Sequence, residues 1–502
     1  MRRKIYFALS ALLALSACSL QEPDGLFIRP GDVCGSVQQA DAAVTAAYSS
    51  LNTLFSYRMG IAIEGCTDLM YISSGTQDAQ MDVSPANARF GTVVWEYGYA
   101  GVRNANFAVW AMENSAVDPE ELAPLLAEAK TMRAFYYLLL TSFFGDVPFY
   151  EDYVRDRETL EKVRSLPRMS AFDTRAALIA ELKECVGDLP SGRSYDLGLQ
   201  RAGSAFCYMV IAKMALWNKD WDNAIDALVH LEEMYGELTE EAYPLADLAF
   251  SRKNTPESIF EIQHTYTPGG LQYYSNYAAV LMPYPLRKDD ATGTVGFDGK
   301  LEDKSTWVSI PELGTECIVW QPMRANTYLY NGLYVRGGRD RRTAMNLVWE
   351  WNGKSFSRCW MGPKFWCYNM YNTYDSNNYP IFRYADAVLM LAEACNEKGE
   401  YDRAIEYLNK VKRRAGISEY GTFTTKDKLL DEIQMERGRE LLGEFHRKFD
   451  LVRWGIWFKR TYEFSDYTRL KDNIRPCHEY YPIPDTEVAL SGGALDNKAY
   501  EQ

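Results

Sequence analysis

The chain of 502 residues is 47% hydrophobic and 24% charged, so it can bury a large core and is long enough for more than one sub-domain. Its formal net charge of −14 opposes binding to the phosphates of nucleic acid. Past the N-terminal segment no run reaches the length of apolar sequence a membrane-spanning helix needs.

Residues 1–17 read as a lipoprotein signal peptide. Arg2, Arg3 and Lys4 form a basic start, and the apolar run from Ile5 to Leu15 is too short to stay in a bilayer as a stable anchor. It ends in Leu15-Ser16-Ala17-Cys18, small residues ahead of a cysteine as in a bacterial lipobox, which predicts cleavage before Cys18 and its acylation. Each buried acyl CH₂ is worth roughly 0.8 kcal/mol, so several chains on one cysteine hold a protein firmly. Residues 18–36 would then be a lipidated tether.

A helical scaffold is expected over 37–265. Apolar residues recur at helical spacing over 38–58, 99–114, 120–144, 171–187, 203–217 and 221–234, punctuated by Pro148, Pro167 and Pro190. An internal repeat runs through it. Ala212, Ala215, Trp221, Ala224 and Leu228 recur with the same spacing as Ala392, Cys395, Tyr401, Ala404 and Leu408. This is the tetratricopeptide (TPR) pattern, in which small residues let two helices approach closely and an aromatic residue wedges between them.

Between the two copies the texture changes. Residues 266–379 hold 21 aromatic residues, six of the twelve tryptophans and 11 glycines, with little sustained periodicity. Ile318–Gln321 and Leu347–Trp351 are candidate short strands, and the rest reads as long loop, which inside a compact protein marks a functional insert. Helices resume over 380–502, with the second repeat hairpin around Gly399 and a further helix at 425–442. The expected fold class is mostly α: a tetratricopeptide-like helical scaffold with an irregular, loop-rich insert containing a few short strands.

Nine cysteines remain besides Cys18, an odd number at irregular spacing without C-x-x-C, which argues against a zinc site or a disulfide framework. Cys185, Cys207 and Cys395 fall on helices as small core residues, and Cys359 and Cys367 are close enough in sequence to pair. His230, His264, His446 and His478 make no metal-binding pattern, and no G-x-S-x-G, Walker loop or G-x-G-x-x-G occurs. No pair of carboxylates is singled out for glycoside hydrolysis. The sequence calls for no cofactor. Asp375-Ser376-Asn377-Asn378 has the flavour of a calcium loop, but Pro380 stands where glycine is needed, so a solvated turn is expected there and calcium has no support.

Five blocks become informative together. They are Glu128-Ala129 through Arg133-Ala134 and Tyr136-Tyr137, closed by Phe144-Gly145-Asp146-Val147-Pro148; Pro380–Ala394; Leu408–Gly416; Glu436–Glu444 with Arg447 and Asp450–Gly455; and Tyr481-Pro482-Ile483-Pro484. In this order, behind a lipobox, they resemble the SusD/RagB family of Bacteroidetes outer-membrane lipoproteins, over nearly the whole chain. Glu22 and Asp24 resemble the acidic flank that sends such lipoproteins to the cell surface. The end of the chain departs from the family, with Leu495-Asp496-Asn497-Lys498-Ala499-Tyr500 where many members carry Gln-Asn-Pro-Gly. Read physically, Arg133, Glu393, Arg437, Glu440, Glu444, Arg447, Asp450 and Arg453 are expected as partly buried ion pairs that lock helices together. Most of the signature is therefore scaffold.

The resemblance implies a surface-exposed, lipid-anchored binding protein of the outer membrane rather than an enzyme. Such a protein captures glycans, or in some members peptides, and delivers them to a SusC-type TonB-dependent barrel. Sugar rings present flat C–H faces for which exposed aromatic rings form a platform, worth about 1 kcal/mol each. The expected platform is Trp307, Trp320, Tyr328, Tyr330 and Tyr334, beside Arg324, Asn326 and Asn331. Trp95 stands where family members often place an aromatic near the ligand, and the polar loop 73–88 offers Asp78. Trp349, Trp351, Trp360 and Trp366 are assigned to the core, and Tyr136, Tyr137, Trp217 and Trp221 to helix packing. Two other functions compete: a TPR adaptor for a peptide or protein, and a surface glycoside hydrolase.

Overall fold

The computed structural model describes residues 33–501 apart from 73–75, 271, 284–286, 289–294, 298–307, 310–322, 335–337, 352, 368–369 and 423–424. Its main helices are α1 (Val37–Ala47), α2 (Phe90–Glu113), α3 (Pro119–Phe144), α4 (Ala171–Cys185), α5 (Ser204–Asn218), α6 (Trp221–Tyr235), α7 (Tyr384–Glu397), α8 (Tyr401–Ala415), α9 (Lys426–Glu440), α10 (Arg447–Arg453) and α11 (Trp457–Phe464).

The helix expected over 38–58 is broken into α1, Leu51–Leu54 and Tyr57–Glu64. At the first break the Ser49 hydroxyl donates to the carbonyl of Ala46, an alternative to the helical ladder that serine supplies readily. Helix α2 begins nine residues before the expected start at 99. Glycine is a poor helix former, but here it serves packing: a Cβ on Gly101 would lie 2.3 Å from the Tyr136 ring, so only glycine lets α2 and α3 approach this closely.

The two repeat copies are the helical hairpins α5–α6 and α7–α8, with α6 against α7 and α9 stacked beyond. Ala212, Ala215, Ala224 and Leu228 are fully buried, as are Ala392, Cys395, Ala404 and Leu408. Trp221 and Tyr401 lie half-buried against the same core. The turns match as well. Lys219 (φ 55°) and Gly399 (φ 79°) occupy the same left-handed position in the two hairpins. A Cβ at Gly399 would meet nothing within 4 Å, so Gly399→Ala tests backbone strain alone. It should cost about 1 kcal/mol of unfolding free energy by chemical denaturation.

The described strands are short: β1 (Met70–Tyr71), β2 (Ser258–Ile262), β3 (Thr265–Tyr266), β4 (Gln272–Tyr273), β5 (Arg287–Lys288), β6 (Val295–Phe297), β7 (Val308–Ser309), β8 (Arg324–Ala325), β9 (Leu347–Trp351), β10 (Lys354–Met361) and β11 (Tyr379–Arg383). All pair antiparallel, as β1–β8, β2–β11, β3–β4, β5–β6–β7 and β9–β10. The pair β2–β11 zips the two ends of the aromatic-rich segment together where it leaves the scaffold. The expected strand at Leu347–Trp351 is β9; that at Ile318–Gln321 lies outside the described residues. Trp360 and Trp366 are sealed in a small hydrophobic cluster with Ala279, Met282 and Val348, and Trp351 packs against it.

The charged residues of the sequence blocks meet in the interior. Glu440 on α9 pairs with Arg342 (2.7 Å), Arg383 (2.6 Å) and Arg414. Arg383 also reaches Glu257 (2.7 Å) and Glu444 (2.7 Å), Arg414 reaches Glu257 (2.7 Å), and Lys364 reaches Glu444 (2.6 Å). None of these side chains is more than 5% exposed. Burial alone would raise the Glu440 carboxyl, but the guanidiniums of Arg414, Arg383 and Arg342 hold it well below its ordinary range. A second buried cluster links Asp386 to Lys213 (2.6 Å) and Arg437 (2.9 Å), and Asp450 to Arg437 (2.8 Å) and Arg453 (2.9 Å). Arg453 also reaches Glu393 (2.7 Å). Arg447 pairs with Asp68 (2.7 Å), and Arg133 with Glu181 and Glu151. All eight residues expected in ion pairs are in them. Removing one partner from such a site leaves the others buried without compensation, so Glu440→Gln should lower unfolding free energy by about 3–5 kcal/mol, read by chemical denaturation.

Candidate functional site

The structure scatters the residues expected to bind ligand. Trp307 and Trp320 lie outside the described residues, as does Cys18. Trp95 is not an open platform: it is 6% exposed, on the first turns of α2, with its ring edge-on to Tyr99 (4.9 Å) and Phe144 (5.1 Å). Asp78 is also committed internally. Its Oδ1 accepts the Phe90 N–H at the start of α2 (2.9 Å) and the Tyr481 hydroxyl (3.3 Å), and burial raises its carboxyl pKa. Asn326 is fully buried, donating to the Thr67 carbonyl (3.0 Å) and accepting the Asp466 N–H (2.8 Å). Tyr334 is 1% exposed; its hydroxyl donates to the Arg439 carbonyl and accepts from Asn346 (2.6 Å). Asp78, Asn326 and Tyr334 serve the fold because their polar groups have partners that the chain itself supplies, and Trp95 serves it by ring packing.

Arg324, Tyr328 and Tyr330 remain half-buried and come together. Arg324 lies on β8 opposite Tyr71 of β1. Residues Tyr328–Leu333 follow as one turn of π-helix, a rare geometry that is frequent at functional sites. The Tyr328 ring stacks on Phe464 of α11 (4.2 Å), with the Arg460 guanidinium 5.1 Å from both ring centres and donating to the Tyr328 hydroxyl (2.6 Å). Beside β8, Tyr71 stacks on Tyr467 (6.0 Å).

Among the described residues, an aromatic surface forms that the sequence reading does not single out. It is built from the β3–β4 hairpin and the tight turn 371–374. Tyr371 is 43% exposed, with Tyr266, Tyr274 and Tyr374 half-buried beside it; Tyr273, 64% exposed, is paired with Thr265 and so lies on the opposite face of the hairpin from Tyr266 and Tyr274. The Tyr266 centroid lies 5.3 Å from Tyr374, 6.1 Å from Tyr274 and 6.4 Å from Tyr371, the last pair near parallel at 28°. Tyr274 and Tyr374 are 4.3 Å apart. The backbone explains the grouping. Tyr371 and Tyr374 exchange both backbone hydrogen bonds (3.0 Å each) around Asn372, whose φ of 57° suits asparagine. Ser275 and Asp375 pair their backbones likewise (2.9 and 2.8 Å), fastening the hairpin to the turn.

Asp375 is the base of this ledge, and it is not in the solvated turn expected for residues 375–378. It is 1% exposed, accepting the N–H of Asn377 (2.9 Å) and of Ala278 (3.3 Å). Burial, only partly offset by these hydrogen bonds, pushes its carboxyl up to about 7. Between the ordinary carboxyl pKa of 3.8 and about 7 the unfolded chain releases a proton that the folded chain keeps, so this group costs stability as pH rises. Asp375→Asn removes that dependence. The melting temperature of the variant, relative to the unsubstituted protein, should climb between about pH 4 and pH 7 in thermal melts and level off above.

Comparison with known proteins places this geometry in context. The model described as the SusD family matches residues 353–500, and one described as "Starch-binding associating with outer membrane" matches residues 42–192. The chain belongs to the SusD/RagB family. SusD-like protein P25 of Formosa agariphila is 26% identical over 442 residues, which span 81% of this chain and 78% of that protein. Surface glycan-binding protein A from Bacteroides uniformis has the same fold, with TM-score 0.70 at 23% identity over 93% of this chain and 100% of that one. The protein of the same name from Bacteroides thetaiotaomicron, solved in complex with laminarihexaose, gives TM-score 0.67 at 19% identity over 92% of this chain and 100% of its own. The SusD-family match at 353–500 contains Lys364, Arg383, Arg414, Glu440 and Glu444 of the buried charge network. In this SusD/RagB chain that part of the match therefore covers the scaffold, while the tyrosines of residues 266–274 lie outside both matched segments.

Proposed function

We propose that this SusD/RagB chain captures glycan at the cell surface, on the tyrosine ledge and the neighbouring insert, and delivers it to a SusC-type TonB-dependent outer-membrane transporter. The observation that carries the reading is the four-ring ledge of Tyr266, Tyr274, Tyr371 and Tyr374. Tyr371 is exposed and the other three are half-buried, held by backbone hydrogen bonds with neighbouring ring centres 4.3–6.4 Å apart, a surface on which pyranose faces can stack. The laminarihexaose complex of a protein with the same fold supports glycan as the ligand, and the "associating with outer membrane" family supports the location. Anchoring through Cys18 rests on the lipobox, and Trp307 and Trp320 remain proposed contacts within the same insert.

Each stack contributes about 1 kcal/mol, so a few rings give weak, rapidly exchanging capture suited to hand-over. The double variant Tyr266→Ala/Tyr371→Ala should weaken glycan retention in affinity gels by about 10-fold or more, since two stacks are removed. Its melting temperature should fall only slightly, because Tyr371 is exposed and Tyr266 half-buried at the surface. Trp307→Ala/Trp320→Ala, run alongside, measures the share of the tryptophans. Retention unchanged in both variants would move the site elsewhere, and accumulation of reducing ends from polysaccharide would replace the binding reading with a hydrolase.

A further inference from the structure

The ledge is distinguished by what its sequence lacks. In a chain that is 24% charged, residues 265–282 and 366–374 contain no Asp, Glu, Lys, Arg or His. Exposed loops are where charged side chains ordinarily lie, and Thr265, Thr267, Gln272, Tyr273, Tyr371 and Asn372 are all exposed. Among the described residues, the exposed Lys253 is tied to the root of the hairpin, its ammonium donating to the His264 carbonyl (2.6 Å), and Asp375 is buried at the base of the tyrosines. Polar contacts are present in uncharged form. None of the four tyrosine hydroxyls of the ledge has a protein partner among the described residues, and each can donate and accept. Asn372 and the half-buried Asn276 add amides at the edge.

From this we infer that the ledge takes an uncharged glycan and excludes polysaccharides that carry carboxylate or sulfate groups. The inference rests on the glycan reading above and narrows it. An anionic group brought onto the rings would shed water without meeting a cation on either ledge segment, a cost that hydroxyl groups do not incur. The carboxyl of Asp375 beneath the rings can only add to the penalty when it is ionised. A neutral pyranose instead stacks its C–H face and exchanges its hydroxyl hydrogen bonds with water for those of tyrosine and asparagine.

Native affinity electrophoresis of the mature chain tests this, in gels containing laminarin, glucomannan or pullulan and in gels containing polygalacturonate or carrageenan, at low and high salt. The expected result is retardation by at least one neutral polymer, insensitive to salt and lost in Tyr266→Ala/Tyr371→Ala, with no retardation by either anionic polymer. Retardation by an anionic polymer that the double variant abolishes would overturn the inference and leave the glycan reading standing. Retardation by a neutral polymer that the double variant leaves intact would take binding off the ledge and overturn both. Migration unaffected by all five polymers would overturn both as well.

Discussion

Glu440 accepts three guanidiniums in a place that water does not reach. Arg342 comes from the aromatic-rich insert, Arg383 from the last residue of β11 and Arg414 from the end of α8, while Glu257, at the mouth of β2, completes the circuit through Arg383 and Arg414. Charges this deep are costly unless every one is matched, so the cluster forms only when the helical hairpins, the β2–β11 zip and the insert are all in register. The consequence is geometric more than energetic. Replacing the whole cluster by well-packed apolar groups need not destabilise a protein, but it would remove the constraint that sets how the insert leaves the scaffold.

The scaffold and the ledge are built on opposite principles. The scaffold buries ions and small residues; the ledge presents rings, and its segments 265–282 and 366–374 carry no charged residue. Rigidity links them, since two backbone pairs hold the ledge at Ser275–Asp375 and Tyr371–Tyr374, and β2–β11 holds its root a few residues away. A surface ordered before ligand arrives loses little entropy on binding, which lets a few weak stacks suffice.

Residue-level legibility follows the range of the interaction. The repeat at Ala212–Leu228 and Ala392–Leu408 is visible in sequence because close helix packing imposes small residues at fixed local spacing, and the fold honours all eight buried positions. The ion-pairing residues are visible as types, yet their partners are not: Arg447 finds Asp68 across 379 positions of the chain. Trp95 misleads because α2 starts at Phe90 and turns that ring onto Phe144. Asp78 misleads because a polar loop residue was needed to receive the first N–H of the same helix. Asn326 and Tyr334 sit in a loop-like stretch but satisfy backbone groups of distant segments.

The tyrosines of the ledge were in plain view as Tyr266, Tyr274, Tyr371 and Tyr374, among Gly, Asn, Ser and Thr, but nothing local separates them from Tyr277 and Tyr379, which are sealed in the core. Periodicity and composition alone determined the helical class, the paired hairpins and the change of texture after residue 265, because those depend on neighbours three or four residues apart. Which rings meet solvent was decided only in three dimensions. Exposure is whatever the packing of remote segments leaves uncovered, and no residue carries that information by itself.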